Sequence, residues 1–201
     1  MATELFLASS NAGKLAEYRI LGQGIPSATN LQLDLIPHFA KLPTFEENAP
    51  TFAENAAGKA LHYSRIYDKL IFADDSGLVV PALGGAPGVL SARYAGPGAS
   101  DAEKMAKLLR ELQGKRRKER SAYFVCAIVL ASRGRVRAVV TARADGEIVE
   151  VQRGSGGFGY DPVFFFPPLK KTFAELSADE KNLQSHRGKA FRRLMAALPH
   201  S

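Results

Sequence analysis

The chain has 201 residues, 46% of them hydrophobic and 23% charged, the balance of a soluble globular protein with enough chain to bury a sizeable core. Its one cysteine, Cys126, excludes an intramolecular disulfide, and the absence of a signal-peptide pattern or a membrane-length apolar run leads to the expectation of a cytoplasmic protein with no membrane partner. The net charge of +7 favours anionic partners without choosing among nucleic acid, nucleotides and anionic surfaces.

Residues 4–8 form a candidate first strand, residues 14–21 a helix and residues 31–36 an extended segment. Residues 51–67 carry Phe52, Ala56, Ala60 and Tyr63 at helical spacing. The apolar run 70–73 reads as a buried strand that ends at Asp74-Asp75-Ser76-Gly77, because adjacent buried acids are costly without a cationic partner. Alternation along a strand sends Asp74 and Asp75 in different directions, and Gly77 permits a sharp turn. Residues 78–80 read as a second strand and residues 84–88 as a loop.

A helix over 101–112 follows, capped by Ser100 with Glu103 at the capping-box position. The basic stretch from Lys115 to Arg120 reads as a solvated connection, and no aromatics interleave it as in a nucleic-acid-binding surface, so no nucleic-acid partner is expected. Strands over 122–131 and 136–143 precede a turn signal at Asp145-Gly146, and Cys126 lies in the first of these strands as a packed thiol. Residues 187–198 form a basic amphipathic helix. Strands mixed with helices, and a neighbouring strand pair after residue 120, predict an α/β protein with a mixed sheet and one domain spanning 1–201.

Five segments carry residue types suited to chemistry. The acids of 74–77, beside a serine and a glycine, suit Mg²⁺ and phosphate or simply form a turn. Ser9-Ser10-Asn11-Ala12-Gly13-Lys14, between a strand and a helix, offers backbone N–H groups and a cation to an anion, or a plain Asn11 cap. Glu46 or Glu47 precedes the next helix, as a dipole-facing acid or a metal ligand, and Lys59 reaches Asn55, Glu54 or a phosphate. In Gly154 to Pro162, Phe158 either stacks on a base or packs, as does Tyr160, and Asp161 is an acceptor for a base edge. Lys181, His186 and Arg187 offer donors to an acceptor-rich ligand or form a solvated helix start.

Taken together, these segments resemble, in order and spacing, the inosine triphosphate pyrophosphatase family. The matching residues are Ser9-x-Asn11-x-x-Lys14, Glu47-x-x-x-Thr51-Phe52-x-Glu54-Asn55-Ala56, Ala73-Asp74-Asp75-Ser76-Gly77-Leu78, Leu83-Gly84-Gly85-Ala86-Pro87-Gly88, Ser91-Ala92-Arg93-Tyr94, Gly157-Phe158-Gly159-Tyr160-Asp161-Pro162 and Ser185-His186-Arg187-Gly188. The resemblance spans nearly the whole chain, with one departure: Ala49 stands where the family usually has glycine. It implies Mg²⁺-dependent hydrolysis of noncanonical purine nucleoside triphosphates (ITP, dITP and XTP) to the monophosphate and pyrophosphate by a cytoplasmic homodimer. It also implies an elongated two-lobed α/β domain around a long mixed sheet, with the site in a cleft between lobes.

By the same resemblance Asp75 accepts a proton from water and, with Glu47, holds Mg²⁺. Lys14, with Ser9, Ser10 and Asn11, neutralises the pyrophosphate leaving group, Phe158, Asp161, Lys181, His186 and Arg187 meet the base, and Ala12, Gly13, Ser76, Gly159 and Tyr160 also bind the substrate. Two other classes stay open on the residues alone: a non-catalytic nucleotide or RNA-binding module, and a phosphatase or pyrimidine-directed pyrophosphatase.

Overall fold

The computed structural model describes residues 3–9, 12–23, 25 and 31–198. The strands are β1 (Thr3–Leu7), β2 (Leu31–Leu35), β3 (Ile71–Val79), β4 (Ser121–Ser132), β5 (Arg135–Ile148), β6 (Phe164–Phe166) and β7 (Lys171–Thr172). The helices are α1 (Ala12–Gln23), α2 (Phe52–Ile66), α3 (Asp101–Glu111), α4 (Ala178–Gln184) and α5 (His186–Ala197). Among the described residues the strands form one open sheet in the order β2-β1-β3-β4-β5-β6-β7. Strand β1 runs parallel to β2 and β3, whereas β6 runs antiparallel to β5 and β7, so the sheet is mixed as expected.

The chain divides into two compact units, one comprising residues 1–75, 126–142 and 188–201, the other residues 76–125 and 143–187. In the first, period-two alternation sends Leu5, Leu7, Phe72, Ile128 and Leu130 to one face of the strands, against Tyr18 of α1 and Phe191 of α5. Phe6, Ile71, Ala73, Ala127 and Val129 go to the opposite face, against Ala56, Ala60 and Tyr63 of α2. Strands covered on both faces need apolar residues at every position, which is why 122–131 reads as an unbroken apolar run. Cys126 is fully buried here, as expected of a packed thiol. On α2, Thr51 caps the helix by accepting the Glu54 N–H at 3.2 Å.

In the second unit, Leu78 and Val80 pack with Met105, Leu108 and Leu112 of the α3 segment and with Phe124, Phe164 and Phe173. The predicted capping box is present: the Glu103 N–H donates to Ser100 Oγ at 3.3 Å, and the Ser100 N–H to Glu103 Oε2 at 2.7 Å.

Several sequence expectations are corrected. Residues 71–79 form one strand, with no break at Asp74-Asp75-Ser76-Gly77, because the two acids find partners along its flanks. Asp145 and Gly146 lie inside β5 and do not form a turn. Gly146 marks a close approach instead, since a Cβ there would collide with the Phe165 carbonyl and the Phe164 ring. Residues Arg117–Arg120 form a short 3-10 helix, and Arg120 is buried, not solvated. Finally, the last helix opens one residue earlier than read, at His186, and His186 and Arg187 are buried there, not solvated.

Candidate functional site

The first unit gathers a cluster of charge around β3. Ser9 follows β1, its amide bonded to the Leu7 carbonyl at 3.0 Å. Ser10 and Asn11 lie outside the described residues. Ala12 and an exposed Gly13 open α1. One residue on, Lys14 Nζ donates to both carboxylate oxygens of Asp74, at 3.0 and 3.2 Å. Asp75, the next residue of β3, accepts instead from Asn55 Nδ2 of α2 at 3.0 Å. The strand's alternation thus sends one acid toward α1 and the other toward α2, as the sequence leads one to expect.

Lys59, one helical turn after Asn55, forms an ion pair with Glu47 and donates to the Asp74 carbonyl at 2.8 Å. It does not pair with Asn55 or Glu54. Glu46 accepts from the side chain of Asn48 at 2.9 Å, so Glu47 is the acid of this pair that joins the cluster. Burial pulls the Lys59 ammonium down, but Asp74, Glu47 and Asp75 outweigh it and raise the group above its usual 10.5. The Lys14 and Lys59 ammonium groups thus stand among the carboxylates of Glu47, Asp74 and Asp75.

Among the described residues no group of three or more His, Cys, Asp or Glu side chains is arranged to hold a metal ion. A hard cation such as Mg²⁺ is commonly bound by one or two carboxylates, with water and substrate phosphates completing its shell. The hard oxygens of Glu47 and Asp75 suit such an ion.

The second unit builds an aromatic and cationic loop. Phe158 is 57% exposed, with Lys181 Nζ 4.5 Å and the Arg187 guanidinium 5.6 Å from its ring centroid. Asp161 is buried and accepts from the Phe158 N–H at 2.8 Å and from Lys181 Nζ at 2.6 Å. Burial pushes the Asp161 carboxyl up, against the opposite pull of Lys181 and the Phe158 amide. Arg187 Nη2 donates to Ser76 Oγ at 3.3 Å, and His186 stacks on Phe124 at 4.8 Å. The Tyr160 hydroxyl is turned inward, donating to the Ser91 carbonyl at 3.0 Å.

Two positions with a part in this architecture were not singled out from the sequence as site residues. Asn55 bridges Asp75 and the Ala49 backbone. Asp101, the first residue of α3, accepts the Gly159 N–H at 2.6 Å and so braces the Phe158 loop. A buried asparagine inside a helix was the available signal for the first; nothing local signals the second.

The first unit of this α/β protein thus carries an acid–lysine cluster on a doubly covered strand group, and the second carries an aromatic loop flanked by cations. Residues 5–197 match the model of the Ham1 family, and the chain belongs to that family. It is 49% identical over 191 residues, 95% of this chain and 92% of the other, to a dITP/XTP pyrophosphatase of Geobacillus kaustophilus. A HAM1 protein from Coxiella burnetii superposes with a TM-score of 0.86 at 40% identity, over 96% of this chain and 97% of that one. The Staphylococcus aureus Ham1 protein gives 0.85 at 36% identity, with the same coverage. The family and the α/β fold with its mixed sheet agree with the resemblance read from the motifs. Among the described residues no helix is long and apolar enough to cross a membrane.

Proposed function

We propose that the protein hydrolyses the α–β anhydride of ITP, dITP and XTP, releasing the nucleoside monophosphate and pyrophosphate, with Mg²⁺ as cofactor. Residues 1–201 act as a single catalytic domain, which works in the cytoplasm as a homodimer and clears these triphosphates from the nucleotide pool. The observation that carries the reading is the cluster in which Lys14, Lys59, Glu47, Asp74 and Asp75 meet. The high identity to a protein named dITP/XTP pyrophosphatase supports the choice of substrates.

Glu47 and Asp75 hold Mg²⁺, which when bound neutralises triphosphate oxygens and draws electron density from the reacting phosphorus. Asp75 takes the proton of the attacking water, while Asn55 holds its Oδ2. Lys14, with Ser9, Ser10, Asn11, Ala12 and Gly13, balances the charge that develops on pyrophosphate as the anhydride breaks. Asp74 keeps Lys14 aimed until the substrate competes for it. Lys59 does the same for Glu47.

On the base side, Phe158 stacks on the purine, with Ser76, Gly159 and Tyr160 bordering the ligand. Lys181, His186 and Arg187 supply donors to a six-oxo group, and Asp161 both orients Lys181 and accepts a ring N–H. A six-amino group meets donors with donors. A site built on such donors rejects the wrong ring by roughly 10⁴-fold.

The test is turnover of ITP, XTP, GTP, ATP and dUTP with and without Mg²⁺, resolving pyrophosphate from orthophosphate. Mg²⁺-dependent pyrophosphate release from ITP and XTP, with little from ATP, is expected. Orthophosphate with a diphosphate product, or no turnover at all, overturns the reading.

A further inference from the structure

Asn55 is 1% exposed and sits in the first turns of α2. Asparagine ranks low inside helices, and a buried amide is costly unless its hydrogen bonds are made. Here they are made in a way that fixes the amide's orientation. Oδ1 accepts the Ala49 N–H at 2.9 Å. Nδ2 donates one hydrogen to the Ala49 carbonyl at 3.3 Å and the other to Asp75 Oδ2 at 3.0 Å. A flipped amide would set its oxygen against two oxygens and its nitrogen against an N–H. One side chain therefore ties together three elements: α2, the segment that carries Glu47, and β3 at Asp75. The link is directional, because only a donor satisfies Asp75 Oδ2 and only an acceptor satisfies the Ala49 N–H.

We propose that Asn55 is a positioning residue: it locks Asp75 against the 47–50 segment so that Glu47 and Asp75 present their oxygens to one divalent cation. The inference rests on the reading of these two acids as Mg²⁺ ligands. Aspartate at this position keeps the shape and the bond to Ala49 but sets an oxygen against Asp75. Alanine removes both links.

The experiment compares wild type with Asn55→Asp and Asn55→Ala, measuring melting, kcat, KM for ITP, and Mg²⁺ binding in the presence of an α,β-methylene analogue of ITP. The expected result is cooperative melting, a kcat lowered about 100-fold, a KM within about threefold, and a half-saturating Mg²⁺ concentration raised about tenfold in both kinetics and binding. A folded variant whose kcat and Mg²⁺ requirement stay within about threefold of wild type overturns the proposal. Should neither variant fold, the wild type decides: its Asn55 side-chain amide NMR signals shift on Mg²⁺ titration with the analogue present, and unmoved signals overturn the role. A wild type that binds Mg²⁺ in this way yet releases no pyrophosphate from ITP counts against the pyrophosphatase reading and not against the positioning of Asp75 by Asn55.

Discussion

Lys14 and Asp74 stand 60 residues apart in the chain, yet both oxygens of Asp74 accept from the Lys14 ammonium, at 3.0 and 3.2 Å. The carboxylate is 1% exposed and the lysine 28%. Removing one partner of such a pair strands the other charge, at about 3–5 kcal/mol for a fully buried pair, and the partial exposure of Lys14 places Lys14→Met near about 3 kcal/mol. Asp74→Leu alone leaves the lysine able to reach water and costs less. The double variant Lys14→Met/Asp74→Leu is expected to be more stable than the sum of the single losses predicts. Urea denaturation of the four proteins checks this; additive losses would show that the pair does not couple.

The same pair explains what could and could not be read from the amino-acid order. The faces of β1 and β3, the helix caps and the acid alternation at 74 and 75 are local, so period and cap residues reveal them. The continuity of β3 is not local. Two adjacent acids look like a strand end until Lys14 and Asn55, from distant segments, satisfy them. Asp145-Gly146 misleads for a related reason: a glycine demanded by the close approach of Phe165 carries the same letters as a turn. Lys59 was readable as a cation near acids, but its choice of Glu47 over Asn55 or Glu54 depends on the path of residues 46–50. Ser10 and Asn11 fall outside the described residues, so their part in the site rests on the motif.

Asp101 reaches the Phe158 loop through the Gly159 amide while holding Lys104 at 2.6 Å. The hydrogen bond from Lys104, aided by Gly159 and opposed by burial, keeps its carboxyl below the usual 3.8. A folded-state pKa lowered in this way adds stability that is present above pH 3.8 and is lost as the pH falls through the folded value. Asp101→Ala is therefore expected to be less stable than wild type at pH 7, with the difference closing in acid. Because the loop loses a brace, KM for ITP is expected to rise about tenfold while kcat changes little. Denaturation across pH 2–7, with steady-state kinetics at pH 7, measures both; a gap that persists unchanged below pH 3 contradicts the assignment.

Two neighbouring arginines of the basic segment are expected to differ sharply. Arg120 is 5% exposed and donates to the carbonyls of Ile148, Leu112 and Val149 at 2.7, 2.9 and 3.1 Å. Arg120→Met leaves three acceptors unmatched, at about 1 kcal/mol or more each, and lowers the melting temperature by roughly 6–12 °C for a chain of this size. Arg117 pairs with Glu147 at 2.8 Å with its own side chain 80% exposed, so Arg117→Met is expected to leave the melting temperature close to that of wild type. Calorimetry on the two variants decides, and equal shifts would remove the structural distinction between them.

Gly157 and Gly159 both adopt left-handed backbone, with φ of 74° and 64°, so alanine at either is strained by about 1–2 kcal/mol. They differ in surroundings. A Cβ on Gly157 would overlap the Asp161 carboxylate, whereas one on Gly159 meets nothing within 4 Å. Gly157→Ala must therefore displace Asp161 from the Phe158 amide and from Lys181, the two contacts that set the ring and the cation beside it. Its kcat/KM for ITP is expected to fall about 100-fold, with weaker discrimination against ATP, while Gly159→Ala stays within about tenfold of wild type. Parallel kinetics with ITP and ATP separate collision from strain. Equal losses in the two variants would mean that backbone strain alone governs the loop, and Asp161 would then lose its place as the anchor of the base side.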